Sequence, residues 1–254
     1  MQTSLPRLAA AALLLSLVYI ADSPSGPPDN AAASAVGTVT LVEAVPGRPV
    51  EMRVDGRGLR RVARIGDVIG PIRLTAGRHV VAFVGPGGVA TQATVELKPG
   101  SSLDVVLHRP AAVGGGPVVS SFPAPRRPLG AGRGRIMVAA TATLVPADVR
   151  IDHRVVSDNI ANGESVTIDV VAGRHRVALV QTGTARPAVV GPLDVDVAAG
   201  TMTMIYAAGG PPGALSTIRH TVALGGGGEV APGTLHTGSA GLARDLSVRV
   251  FGTG

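Results

Sequence analysis

The chain has no cysteine and no tryptophan, and only five of its 254 residues are phenylalanine or tyrosine. The absence of cysteine excludes disulfide bonds and thiolate metal sites. The shortage of aromatic rings argues against carbohydrate and nucleic-acid recognition, because single-stranded nucleic acids bind through rings that stack on the bases. The sequence also lacks a Gly-x-Ser-x-Gly elbow, a P-loop and a Rossmann fingerprint. We therefore expect no enzyme, no cofactor and no metal site.

Basic side chains outnumber acidic ones, and the formal net charge is +6. Nearly all of the basic residues are arginines, and two groups of them are close in sequence: Arg57, Arg60, Arg61 and Arg64, and Arg126, Arg127, Arg133 and Arg135. Such a surface either keeps the protein soluble or meets anionic cell-envelope polymers through salt-sensitive, unspecific attraction. Another envelope protein is an alternative partner, and we expect no nucleic-acid partner.

The N-terminus carries an uncharged run, residues 8–20, directly after Arg7. At 13 residues this run is too short to span a bilayer and fits the helical core of a secretory signal peptide. Ala33-Ser34-Ala35 supplies a cleavage site, so residues 1–35 are interpreted as a signal peptide or N-terminal anchor. An earlier cut near Ala21, an uncut loose anchor and a buried core helix are the alternatives. The expected location is secreted or cell-surface, with membrane contact only through this segment if it stays uncut.

Self-comparison reveals two copies of one pattern, offset by about a hundred residues. Residues 50–57 align with 147–154, residues 72–84 with 168–180, and residues 95–100 with 195–200. The second block shares the core Ala-Gly-Arg-His-x-Val-Ala-x-Val in both copies. Three matching blocks in the same order predict a tandem duplication.

Within each copy the apolar residues alternate with polar ones, as in Val50-Glu-Met-Arg-Val54 and again through Met202–Tyr206. This period of two, with Gly or Pro turns every 8–12 residues, predicts strands in a sandwich or barrel. The fold expected is all-β, with about seven strands per copy by analogy with immunoglobulin-like β-sandwiches.

The predicted domains follow from this pattern and from the distribution of Gly and Pro. A first β-sandwich covers 36–109 and a second covers 135–208. Five prolines and several glycines between them predict a linker over 110–134. Residues 209–254, again rich in glycine, are expected to form a weakly ordered tail.

Three residue types recur at equivalent places in the two copies. Asp55 and Asp152 are interpreted as turn aspartates that accept backbone N–H bonds, because no calcium-loop pattern surrounds them. His79 and His175 start Val-rich strands without neighbouring histidines, which favours half-exposed strand positions over metal ligation. Gly77 and Gly173 are expected to take positive φ in turns. The remaining histidines, His108, His153, His220 and His236, show no motif.

These blocks resemble the domain-of-unknown-function 4397 family, which is common in exported actinobacterial proteins and often occurs in tandem. The resemblance covers residues 38–208 and lies in turn residues: Val45-Pro46 and Val145-Pro146, Asp55 and Asp152, Gly77 and Gly173, Gly100 and Gly200. His153 stands where the family usually has glycine. The resemblance implies an immunoglobulin-like sandwich and no assigned activity.

Two function classes follow from these observations. The first is an exported, non-enzymatic tandem β-sandwich acting as a structural or interaction module at the cell envelope. The second is a small-ligand or carbohydrate-binding exported protein, or an unrecognised hydrolase. The lack of tryptophan argues against sugar binding.

Overall fold

The structure is a computed structural model that describes residues 35–47, 49–125, 127–184, 187–210 and 215–224, and three dipeptides beyond them. Backbone contacts divide the chain into Met1–Ala33 and Ser34–Gly254, and all of these residues belong to the second unit. Strands are by far their main secondary structure, which confirms the predicted all-β class. The predicted signal segment and most of the predicted tail lie outside the described residues. Within the described part, no helix is long and apolar enough to cross a bilayer.

Eight strands build the first repeat: β1 (Val36–Glu43), β2 (Val50–Val54), β3 (Arg57–Ala63), β4 (Val68–Thr75), β5 (Gly77–Val84), β6 (Ala90–Leu97), β7 (Ser102–His108) and β8 (Val118–Pro123). They form sheet A, in the order β4-β1-β7-β8, and sheet B, in the order β3-β2-β5-β6. Strands β1 and β7 are parallel, whereas the other neighbours in these sheets are antiparallel.

Eight further strands build the second repeat: β9 (Arg133–Ala140), β10 (Ala147–Ile151), β11 (Arg154–Ile160), β12 (Ser165–Val171), β13 (Gly173–Gln181), β14 (Ala188–Val197), β15 (Thr201–Gly209) and β16 (Leu215–Ala223). Sheet C has the order β12-β9-β15-β16 and sheet D the order β11-β10-β13-β14. Each strand takes the place of the strand eight before it, and β9 and β15 are again parallel. The duplication read from the sequence is therefore present in the topology.

Three two-residue strands lie beyond the second repeat: β17 (Leu235–His236), β18 (Gly238–Ser239) and β19 (Ser247–Val248). Strand β18 pairs with the start of β16, and β17 pairs with β19.

Each repeat is a β-sandwich with an aliphatic core between its two sheets. In β2 the predicted alternation is confirmed, because Met52 and Val54 are buried between sheets A and B. The equivalent strand β10 buries Val149 and Ile151 between sheets C and D. Burial of apolar area on one face is what holds such sheets together.

A third core, here called the seam, lies between sheet A of the first repeat and sheet C of the second. It contains Val42, Ala44, Val68, Val106, Phe122, Ala124, Met137, Ala139, Met202, Met204, Tyr206, Ala208, Ile218 and Leu224. Sheets A and C thus have both faces covered, and the layers follow the order B, A, C, D.

The seam explains where the predicted alternation is wrong. Residues Met202–Gly209 of β15 are all buried, and so are Gly134–Ala140 of β9. A strand covered on both faces has no solvent side, so its sequence does not need to alternate.

Two segments differ from their predicted character. Residues 118–123 of the predicted linker form β8, which pairs with β7 along its whole length. Its one proline, Pro123, is tolerated because β8 is an edge strand and Pro123 is its last residue. In the predicted tail, residues 215–223 form β16, which pairs with β15 and contributes Ile218 to the seam.

Candidate functional site

The structure brings the recurring aspartates and histidines together as one pair in each repeat. Asp55 adopts a left-handed backbone with φ of 49° after β2, and its Oδ1 accepts the Val80 N–H at 2.9 Å. Its Oδ2 lies 2.7 Å from His79 Nδ1. The predicted role of the aspartate as a backbone acceptor in a turn is confirmed, and the histidine is its second partner.

The second repeat builds the same pair with Asp152 and His175. Asp152 has φ of 50°, its Oδ1 accepts the Arg176 N–H at 2.9 Å, and its Oδ2 lies 2.7 Å from His175 Nδ1. The preceding glycines, Gly77 and Gly173, have φ of 134° and 144°, which confirms the predicted positive values. Each pair therefore ties the turn after the second strand to the start of the fifth.

Both ring nitrogens of each histidine face an oxygen acceptor. His79 Nε2 lies 2.8 Å from the Thr75 carbonyl, and His175 Nε2 lies 2.7 Å from the Val171 carbonyl. A carbonyl and a carboxylate only accept, so a ring bonded to both is fully satisfied as the imidazolium. The hydrogen bonds to Asp55 and to the Thr75 carbonyl raise the pKa of His79 accordingly.

The same contacts shift the pKa values of the partners. Burial opposes the charge on His175, but the bonds to Val171 and Asp152 prevail and its pKa is raised. The pKa of Asp55 is lowered, first by His79 and also by the Val80 N–H. That of Asp152 is lowered by the Arg176 N–H and then by His175. These groups stabilise the fold as ion pairs.

A second polar cluster lies inside the seam, around the fully buried Asp104 of β7. Tyr206 of β15 donates its hydroxyl to Asp104 Oδ2 at 2.5 Å, and His220 Nε2 of β16 lies against the same oxygen. Asp104 Oδ1 is buried and has no hydrogen-bond partner among the described residues. Burial and the Asp104 charge raise the pKa of Tyr206 well above its usual value, so this hydroxyl stays a donor.

Aromatic packing surrounds this cluster. The Tyr206 ring stacks on His220 with centroids 6.1 Å apart and contacts Phe122 at 5.7 Å. Farther along β7, the buried His108 lies 2.9 Å from Ser120 Oγ of β8. Sequence reasoning missed the roles of Asp104, Tyr206, His108 and His220. The signal was a charged residue inside the apolar run Leu103–Leu107, where a carboxylate requires a partner.

Glu43, the last residue of β1, is a further buried carboxyl group. Its Oε1 accepts the Val45 N–H at 2.9 Å, and its Oε2 has no partner among the described residues. Burial raises its pKa to about 8, against the opposing effect of the Val45 bond and with a small contribution from Asp67. Glu43 is therefore mostly protonated at neutral pH.

Arg135 of β9 is wholly buried, and its guanidinium group is paired within the protein. Its guanidinium forms a fork with Asp169 of β12, through Nε at 2.5 Å and Nη2 at 3.1 Å. Its Nη1 donates to the Pro125 carbonyl at 2.8 Å, which attaches the segment after β8 to sheet C. Two more members of the predicted arginine group contact the same aspartate: Arg133 Nη2 donates to the Asp169 carbonyl at 2.8 Å, and Arg127 Nη2 lies 3.4 Å from Asp169 Oδ2.

A shallow groove of about 360 Å³ opens at the side of the second sandwich, between β11 and β12. It is lined by Ile151, Asp152, Arg154, Val156, Ile168, Asp169 and Val170. Both of its carboxylates already have cationic partners, since Asp152 bonds His175 and Asp169 bonds Arg135. No three His, Asp or Glu side chains of the described residues are placed to hold a metal ion.

The first arginine group lies on β3, the edge strand of sheet B, and in the turn after it. Arg57, Arg61 and Arg64 are exposed, and none of them forms an ion pair with a described residue. Arg60 lies 3.3 Å from Asp67. No protein-family model matches this chain, and no curated protein matches it.

Proposed function

We propose that this chain is an exported, non-enzymatic protein of two tandem immunoglobulin-like β-sandwiches that serves as a structural or interaction module at the cell envelope. The observation that carries the proposal is the use made of the recurring polar residues. The polar side-chain atoms of Asp55, His79 and their counterparts in the second repeat form hydrogen bonds within the fold itself. The residues that the two copies share therefore support the fold of each sandwich, as expected for a structural or interaction module.

The strand arrangement supports an immunoglobulin-like topology and the resemblance to the domain-of-unknown-function 4397 family. Each repeat combines two four-stranded sheets with a parallel pair between its first and seventh strands. Asp55, a residue on which the resemblance rests, occupies a turn with a positive φ, and so does its copy Asp152. The aligned motif residues are thus turn residues in both copies.

The seam supports a mechanical role for the two repeats together. Sheets A and C bury apolar side chains against each other and share the Asp104–Tyr206 hydrogen bond. Such an interface fixes the distance and orientation of the outer sheets B and D. A module of this kind presents its surface as one body, which suits anchoring or spacing at an envelope.

Expression of the full chain in an actinobacterial host tests this proposal. We expect the protein in the medium or the wall fraction, with an N-terminus at or after Ala21 if the leader is cut. Retention on purified wall material should weaken as salt rises, because screening reduces attraction between exposed charges. A protein that stays in the cytosol, or that turns over wall precursors, would contradict the proposal.

A second candidate is binding of a small ligand, which the groove between β11 and β12 favours. Its volume lies within the range of ligand sites, and Val156, Ile168 and Val170 give it an apolar floor. Amide resonances of these residues should shift on titration with short oligosaccharides if the groove binds them. A spectrum unchanged at millimolar ligand would leave only the module.

A further inference from the structure

We infer that the arginine-rich edge strand β3 of the first repeat binds an extended phosphate-rich polyanion, and that the second repeat does not. The inference rests on the proposed envelope function and assigns it a surface and a ligand class. Its basis is a difference between two places that the duplication makes equivalent. Strand β3 is the edge of sheet B, and β11 is the edge of sheet D.

The two edges differ in charge although they are equivalent strands of the two repeats. Residues 57–67 contain four arginines and one aspartate, whereas residues 154–164 contain one arginine, one aspartate and one glutamate. Arg57 has a counterpart in Arg154. Arg61 stands where the second repeat has Asp158, and Arg64 where it has Ala161.

The fold does not require arginine at these places. Asp67 Oδ2 accepts the backbone N–H of Arg64 at 3.0 Å, and Glu164 Oε2 accepts that of Ala161 at 2.8 Å. The turn is therefore built by the backbone and an acidic residue, with Arg in one copy and Ala in the other. The Arg64 side chain is free for another role.

Three of the four arginines on this edge form no ion pair with a described residue, whereas Arg60 pairs with Asp67. Glu51, the carboxylate that Arg61 influences electrostatically, already accepts a 2.7 Å bond from Arg53. Arg57, Arg61 and Arg64 make no ion pair with a described residue. In the second repeat the equivalent edge strand carries one exposed arginine, Arg154, and the exposed Arg174 of another strand pairs with Asp194 at 2.9 Å.

The spacing of these groups fits a linear ligand. Along the extended strand, Arg57 and Arg61 are separated by about 13 Å, and Arg64 follows in the turn after the strand. A guanidinium offers a planar fork of N–H donors that matches two oxygens of one phosphate. A polymer with phosphate at short intervals meets several guanidinium groups at once and releases counterions. Strand β3 has no aromatic residue on which a base could stack, which favours a polyphosphate-like polymer over a nucleic acid.

Reciprocal exchange between the repeats tests the inference. The variant R61D/R64A places second-repeat residues in β3, and D158R/A161R places arginines in the second repeat. Both should fold, since each introduced residue already occurs at the equivalent position of the other repeat. The control R154Q/R174Q/R176Q removes as much positive charge as R61D/R64A, but from the second repeat. Binding of inorganic polyphosphate by the full-length protein is measured by calorimetry at several salt concentrations.

We expect R61D/R64A to bind polyphosphate about tenfold more weakly. The slope of log affinity against log salt concentration should become shallower by about two, because about two phosphate contacts are lost. The control should change affinity less than about threefold, and D158R/A161R should bind more tightly than the wild type. Equal losses in R61D/R64A and the control would overturn the inference, since net charge alone would then explain binding. So would equal affinity for polyglutamate.

A third outcome would also overturn it. Charged residues on an edge strand can serve to prevent strand pairing between molecules. If R61D/R64A keeps its polyphosphate affinity but self-associates in sedimentation, the arginines protect the edge and bind no polymer. A negative result in these polyphosphate experiments does not change the results of the export and wall-retention experiments. The proposed function is therefore tested separately.

Discussion

Tyr206 donates its hydroxyl to Oδ2 of Asp104 across 102 residues of sequence, and the 2.5 Å bond joins the two repeats inside the seam. Asp104 belongs to sheet A and Tyr206 to sheet C. A buried carboxylate is tolerated only when its environment supplies donors. The first repeat thus carries a buried carboxyl group whose Oδ2 is hydrogen-bonded by side chains of the second repeat.

Removing that donor should destabilise the protein without changing its shape. Tyr206→Phe keeps the ring against Phe122 and His220 but leaves Asp104 with one donor fewer. We expect the free energy of unfolding to fall by about 1–3 kcal/mol in chemical denaturation. Asp104→Asn should cost a similar amount, and the double variant less than the sum of the two. Additive losses would show that the two side chains do not interact.

The Asp–His pairs should make stability depend on pH in a defined direction. The raised pKa values of His79 and His175 mean that their contribution is complete below the ordinary value of 6.5 and is lost as pH rises through the raised values. The lowered pKa values of Asp55 and Asp152 mean that the contribution is lost again as pH falls well below 3.8.

The double variant His79→Asn/His175→Asn tests this directly, because asparagine keeps a donor without a titratable group. The stability advantage of the wild type over the variant should shrink between pH 6 and pH 9 in urea denaturation. An advantage that stays constant over this range would show that the histidines are not charged in the folded protein.

Glu43 should add a separate loss of stability as pH rises from 4.5 to about 8. Its folded pKa of about 8 exceeds the ordinary 4.5, so the folded state holds the proton longer than the unfolded chain and stability falls as pH rises between these values. The slope is about 1.4 kcal/mol per pH unit within this window. Glu43→Gln should remove it and be more stable than the wild type at pH 8. The second repeat has Ala140 at the equivalent place, so the backbone does not require the acid. Parallel pH profiles for the two proteins would refute this assignment.

Gly134 and Gly37 occupy equivalent places in β9 and β1 but should respond differently to alanine. A Cβ at Gly134 would approach the Ala198 carbonyl oxygen at 2.7 Å and would also meet Val197 Cγ1. At Gly37 it would meet only the Leu97 side chain, at 2.6 Å, and a side chain can shift more easily than a backbone carbonyl. We expect Gly134→Ala to lower the free energy of unfolding by about 1–3 kcal/mol and Gly37→Ala to lower it by less. The reverse order in thermal unfolding would contradict the geometry.

Much of the architecture could be predicted from local pattern. The alternation of Val50, Met52 and Val54 places them on one face, and the repeated Ala-Gly-Arg-His block places His79 and His175 at the start of equivalent strands. The pairing of Asp55 with His79 was not predicted, because the two were read as separate features. A turn aspartate and a strand histidine 24 residues apart meet only once β2 and β5 are neighbours.

The seam could not be derived from the sequence of either copy alone. Whether one face or both faces of a strand such as β15 are buried can be decided only when the neighbouring sandwich is known. Strand β8 was not predicted because the prolines around it are typical of a linker, although an edge strand accepts proline at its ends. Tyr206 and His220 carry no motif because their partner belongs to the other repeat.

The central claim is that the two repeats form one body through the seam, and native-state hydrogen exchange tests it most directly. Amides of β7 in the first repeat and of β9 and β15 in the second should be the slowest to exchange. They should open with the same free energy, and Tyr206→Phe should lower that free energy equally in all three strands. Amides of β7 that open with a free energy well below that of β15, and that do not respond to Tyr206→Phe, would show two independent domains and contradict the account.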